Sequence, residues 1–410
     1  MKIYNLRINH IMNPLGYWYK TLTASYLTEN EEGQYQESAR IQVSKDLEFT
    51  NIVFDTGRSQ EVSGIGTRLD VKLRPCTRYY WKVQVWDERG NTEESDVAWF
   101  ETGLMDVPFQ GISISPCFEE SVQPVYRKSF HLEKRPEHSR LYIACLGIYE
   151  VILNGERVGD EMLAPGFTVY EKYVQYQTYD ISRYLKAGEN SIEVSAGNGW
   201  YKGMYGYRQN DTYRFGKQFE LVADLYADGT CILSSDTTWT AKKSQILETD
   251  MYDGEVYDAT FDNTQEYPVK KGLLDKAVLK ERLGVPVKVM EIVKPKAMMH
   301  TPAGETVIDM GQNMTGYVSF ICREPRGTKV LLEHGEVLQN QCFYNQNYRT
   351  AKARYIYISD GTQRRVHAKL CFFGFQYIRV SGIKDVRLED FEGHVLYSDL
   401  SMTGSSVSYT

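Results

Sequence analysis

Residues Leu153–Gly203 read LNGERVGDEMLAPGFTVYEKYVQYQTYDISRYLKAGENSIEVSAGNGWYKG. Short runs rich in β-branched and aromatic residues are separated by Asn154-Gly155, Pro165-Gly166 and Gly197-Asn198-Gly199, the turn chemistry that divides strands. Asn154-Gly155 lies between Val151-Ile152-Leu153 and Arg157-Val158. That context predicts a two-residue hairpin of the primed type, whose central residues need positive φ. Pro165-Gly166-Phe167 reads as a second turn, with Phe167 and Tyr170 bordering the surface that carries Trp200.

The same reading extends outward. Tyr79–Trp86 alternates, with Tyr79, Trp81, Val83 and Val85 on one side and Tyr80, Lys82, Gln84 and Trp86 on the other, the period of a sheet. Asp87–Asn91 closes a turn after it. Further strands are expected at Leu141–Leu146, Tyr149–Leu153, Ser191–Ser195, Phe219–Tyr226, Lys329–Glu333 and Tyr377–Val380. Helical periodicity is scarce, and the best helix candidate is Lys271–Leu283, KGLLDKAVLKERL. The fold class expected is all-β, with three consecutive sandwiches: fibronectin-III-like at 1–105, then jelly-roll or lectin-like units at 106–285 and 286–404, with a tail at 405–410.

Composition narrows the function. The 410 residues carry a net charge of −7 and no long basic block, which argues against a nucleic-acid partner. No stretch approaches the roughly 18 apolar residues of a membrane-spanning helix, and the N-terminus lacks a secretory h-region. Seven cysteines, an odd number with no CxxC pair, argue against a zinc site or disulfide framework and for a reducing cytoplasm. Aromatics reach 13%, with 31 tyrosines, which suits strands and amphipathic surfaces.

Three blocks in order carry a resemblance. They are Thr77–Leu104 (TRYYWKVQVWDERGNTEESDVAWFETGL), Leu153–Gly203 with Asp253–Ala259 (DGEVYDA), and Val307–Tyr317 (VIDMGQNMTGY) with Gly335–Leu338 (GEVL) and Phe372–Val380 (FFGFQYIRV). Together they resemble the N-terminal β-domains of bacterial α-L-rhamnosidases, inverting glycosidases whose catalytic domain is a helical barrel. The resemblance implies rhamnose-containing glycosides or polysaccharides as substrates of the full enzyme. It also implies a barrel, outside these residues, that carries the acid/base pair. The pattern departs from the family near Gly404, so no residue here is expected to inherit a catalytic role.

Candidate binding residues cluster in Gly197–Asp211, GNGWYKGMYGYRQND. Trp200, Tyr201, Tyr205 and Tyr207 offer rings for sugar stacking; Asn198, Arg208, Asn210 and Asp211 offer polar groups. The alternative is a glycine-rich loop whose rings cover the end of the sandwich. Some relatives resemble calcium-dependent rhamnose-binding modules in this unit, and Asn198, Asn210 and Asp211 could donate oxygens to such an ion. Glu255 and Asp258 are close in sequence, as are Asp309 and Glu336 in the third unit; the first pair is expected on a turn and Asp309 at a strand end with a tight turn, both structural. His334, two residues before Glu336, is read as structural on the same strand face. Competing with the enzyme-fragment reading are a stand-alone carbohydrate-binding protein and a spacer whose exposed apolar patch would drive homodimer formation.

Overall fold

Strand Arg78–Asp87 shows why the first segment folds as it does. Its side chains alternate between partial exposure and burial along the whole length, and Tyr79, Trp81, Val83 and Val85 lie in the core. Tyr79 stacks on Phe100 with ring centroids 5.1 Å apart. Each such side chain contributes about 1.5–3 kcal/mol through burial. The expected turn follows: Asp87 Oδ1 accepts from the amides of Arg89 and Asn91, at 3.0 and 2.8 Å. The strand pairs antiparallel with Gln36–Ser44 and Ala98–Thr102. The computed structural model describes residues 1–29, 33–204 and 213–400. It divides into a unit of residues 1–109 with 177–179 and 280–283, and a second unit of the remainder. The chain is all-β, built of sandwiched sheets.

In the second unit, Ser139–Leu146 is buried along every residue and pairs with Glu220–Ala227. Both faces are covered, so the period-two signal disappears there. Pro124–Leu132 runs between Gly188–Gly197 and Thr240–Lys243, and Ile148–Leu153 lies on the far side of Gly188–Gly197. The Asn154-Gly155 hairpin forms as expected, with φ of 53° and 83° and Leu153 opposite Glu156. Asn154 does more than turn the chain. Its amide donates to Tyr184 O and Asn190 Oδ1, and its Oδ1 accepts from Ser191 N.

A further sheet is centred on the seventeen-residue strand Thr306–Cys322, which pairs with Phe373–Ser381 and Phe391–Ser398. Ile308, Phe320, Tyr355, Phe375 and Phe391 fill its core. Asp309 lies inside this strand rather than at its end. The register shifts between Asp309 and Met314, and Asp309 Oδ1 accepts from Gly311 N at 2.7 Å. Gly316 pairs with strands on both sides; a Cβ there would sit 1.9 Å from His394 O.

Segments on either side of residue 285 share this sheet. Gly254–Asp258 runs parallel to Arg354–Ile358, with Ile246–Asp250 beyond it, and Glu161–Met162 pairs with Val287–Val293. Glu255 and Asp258 therefore stand on a strand, not on the expected turn. Three residues apart, they point to opposite faces. Asp258 accepts from Thr260 N at 2.8 Å. Glu255 is 1% exposed and accepts from Lys369 N and Leu370 N at 3.0 and 2.8 Å. Burial pushes its carboxyl up to about 7, against the opposing pull of those two amides.

The expected helix at Lys271–Leu283 does not form. Strand Glu266–Lys271 ends there, a single 3-10 turn occupies Lys276–Val278, and Leu279–Glu281 is extended. Propensity loses to capture of the backbone: Glu220 Oε2 accepts from Leu273 N and Leu274 N at 2.8 and 2.6 Å. Leu273 is left 84% exposed, so no apolar stripe is buried that would reward a helix.

Two outcomes follow. Gly316→Ala should cost about 3 kcal/mol, since both backbone angle and space forbid a Cβ. Gly327→Ala, at φ 84° with open space around it, should cost only about 1 kcal/mol. Denaturant melts of the two variants measure the gap. Glu255 holds a proton in the folded state that the unfolded chain releases above pH 4.5. Its contribution is full below 4.5 and is lost as pH rises through 7. Relative to Glu255→Gln, the wild-type chain should lose about 3 kcal/mol between pH 4.5 and 8. A pH-independent difference in melting would contradict a protonated Glu255.

Candidate functional site

The candidate loop begins where strand Gly188–Gly197 ends. Gly199 has φ 52°, and a Cβ there would meet Ile148 Cγ2 at 2.6 Å, so the turn needs glycine. One helical turn, Gly199–Lys202, follows and closes with Gly203 N donating to Gly199 O. Of the eight candidate sugar-binding residues, Asn198, Trp200 and Tyr201 are described. Tyr205, Tyr207, Arg208, Asn210 and Asp211 lie outside the described residues, as do two of the three candidate calcium ligands.

Trp200 and Tyr201 enter a cluster of rings. Trp200 meets Phe167 edge-on at 6.4 Å, Tyr170 meets Tyr201 at 5.2 Å, and Phe215 lies 5.0 Å from Tyr170. Phe167 is 53% exposed while Tyr170 is buried. Trp200 is half-buried and packs toward Ile148, Leu163, Met251 and Leu370. The cluster thus covers core with one side and offers ring surface with the other. Burial pushes the Tyr201 hydroxyl up to about 12. Beneath the turn, Lys202 is 1% exposed. Its Nζ donates to Glu120 O at 2.5 Å and lies 3.3 Å from the Phe219 ring centroid. Burial pulls its ammonium down to about 7.

Beside Asn198 opens a cleft of about 230 Å³, walled by Gln123, Asn198 and the hairpin that carries Glu248, Asp250, Asp253 and Glu255. Most of these acids are already engaged. Asp250 accepts from Met204 N, Tyr252 N and Asp253 N, and burial raises its carboxyl. Asp253 pairs with Lys352 Nζ at 2.5 Å. Among the described residues, no group of three or more His, Cys, Asp or Glu is placed to hold a metal ion. Sequence reading singled out Asp253–Ala259 but not Gln123 or Glu248. No local pattern marks those two, because Gln123 precedes strand Pro124–Leu132 and Glu248 lies on the distant strand Ile246–Asp250.

The remaining candidates lie apart from this cleft. His334 is fully buried, stacked on Phe373 at 3.8 Å, with Nδ1 against Ala353 O. Burial pulls it down to about 4, so it is neutral and structural. Glu336 follows the end of that strand and lies 3.5 Å from Asn313 Nδ2.

Comparison with known proteins finds three successive family models along the chain. Residues 3–106 match a model described as "Rha78A-like, N-terminal immunoglobulin domain". Residues 134–291 match the alpha-L-rhamnosidase N-terminal domain, and 299–397 the bacterial alpha-L-rhamnosidase concanavalin-like domain. An alpha-L-rhamnosidase of Streptomyces avermitilis is 34% identical over 62% of this chain and 26% of its own length. One from Formosa agariphila is 28% identical over 97% of this chain and 47% of its own. The solved alpha-L-rhamnosidase of Dictyoglomus thermophilum superposes with a TM-score of 0.85 at 29% identity, covering 97% of this chain and 49% of that one. That of Aspergillus terreus gives 0.89 at 25% identity, with the same coverage. The chain spans about half the length of these full-coverage relatives. Because successive family models account for nearly all of residues 3–397, the chain belongs to the α-L-rhamnosidase family, of which it carries the N-terminal β-domains.

Proposed function

We propose that this chain is the supporting, non-catalytic β-region of an α-L-rhamnosidase. The full enzyme would release terminal L-rhamnose from glycosides by single displacement, with the proton-transfer pair on a helical domain seated against these sandwiches. The observation that carries the reading is the order of three consecutive family β-domains, in a chain spanning about half the length of its relatives.

The chemistry of the described acids supports it. Inversion needs two carboxyl groups roughly 6.5–9.5 Å apart with a water between them. Glu255 spends its oxygens on the amides of Lys369 and Leu370, and Asp250 on three further amides. Carboxylates fixed in this way brace backbone rather than activate water. The ring cluster at Phe167 and Trp200 supplies a surface for a sugar or for the neighbouring domain.

The purified chain should hydrolyse an aryl α-L-rhamnoside no faster than its Asp250→Asn and Glu255→Gln variants. Release of the aryl alcohol, followed by absorbance, measures this. Turnover by the wild-type chain that both variants abolish would place the chemistry here and overturn the proposal.

A further inference from the structure

We propose that the cleft beside Asn198 binds one neutral sugar ring. The choice of L-rhamnose as probe rests on the family reading above; the cleft itself is argued from its walls.

Gln123 is 2% exposed and lines the cleft. Its Nε2 reaches Asn198 Oδ1 at 3.5 Å, and its Oε1 has no hydrogen-bond partner. A buried amide oxygen without a donor is costly, so the site calls for a ligand that donates. The other wall repeats the demand. Glu248, Asp250 and Asp253 carry acceptor oxygens, and a carboxylate has more acceptor sites than the amides here occupy. The one cationic side chain on the lining, Arg354, sits 3.9 Å from Glu248.

Charge and spacing then select the ligand class. Several carboxylates against one guanidinium disfavour phosphates, sulfates and uronic acids. Calcium needs six to eight oxygens converging on one point. The described acids do not converge in this way. An uncharged molecule rich in hydroxyl donors meets the acceptors of both walls. Leu247, Val256 and Tyr213 add apolar and ring surface for the carbon face of such a molecule. About 230 Å³ suits a single ring and lies below the roughly 300–1,000 Å³ of sites for larger ligands.

The test is isothermal titration of the whole chain with L-rhamnose, with D-galacturonate and calcium chloride as comparison titrants. A ligand of this size should bind with a dissociation constant of about 1 mM or weaker. Gln123→Met keeps the side-chain length and removes the amide. It should weaken L-rhamnose binding about tenfold while melting no lower than wild type, because it also removes the unsatisfied oxygen. Glu248→Gln, on the exposed strand, serves as a second variant and should weaken binding too. D-Galacturonate should not bind. Absence of saturable L-rhamnose binding, binding that both variants leave unchanged, or calcium binding lost in Gln123→Met would each overturn the proposal. None of these results bears on the supporting role, which is read by the hydrolysis assay.

Discussion

The parallel pairing of Gly254–Asp258 with Arg354–Ile358 is the contact on which the second unit depends. Parallel neighbours need long connections, and residues 259–353 intervene between these two strands. Gly254, at φ 97°, lets the two backbones approach; a Cβ there would lie 1.9 Å from Arg354 O. Glu255 then ties the strand to the Lys369–Leu370 backbone from inside. The same hairpin forms one wall of the cleft, so the packing that joins two sequence-distant segments also shapes that cleft.

Buried polar groups recur around this contact, and several brace the backbone. Asp250 gathers three amides, Lys202 reaches a carbonyl across an aromatic face, and His334 stays neutral against a carbonyl. Such groups cost stability unless fully satisfied. Gln123 Oε1 stands out because it is buried, lines the cleft and lacks a partner. Of the buried polar atoms left without a partner among the described residues, it is the one whose residue lines the cleft, where a ligand's donor can reach it.

Legibility in the sequence followed the range of the interaction. The strand at Arg78–Asp87 was readable because one face is wet and one dry. The Asn154-Gly155 hairpin was readable because positive φ at two adjacent positions is a local demand. Lys271–Leu283 misled because its helix-forming residues say nothing of Glu220, more than fifty residues earlier, which holds its amides. Asp309 misled because Gly311 and Asn313 signal a turn, whereas neighbours on both sides carry the strand through an irregular register. Of the candidate loop, Trp200 and Tyr201 join Phe167 and Tyr170, as the turn at Pro165-Gly166 suggested, and Phe215, which no local pattern marked.

By itself, then, the amino-acid order determined that this is a succession of strands with glycine turns, and that its blocks match one family. Those properties reside in neighbouring residues, through φ preference and the two-residue period. Only the folded chain decided which acids are bracing groups, that burial raises the Glu255 carboxyl, and that Gln123 and Glu248 share a cleft. Those depend on desolvation and on partners brought from distant segments, and neither quantity is written in any local stretch.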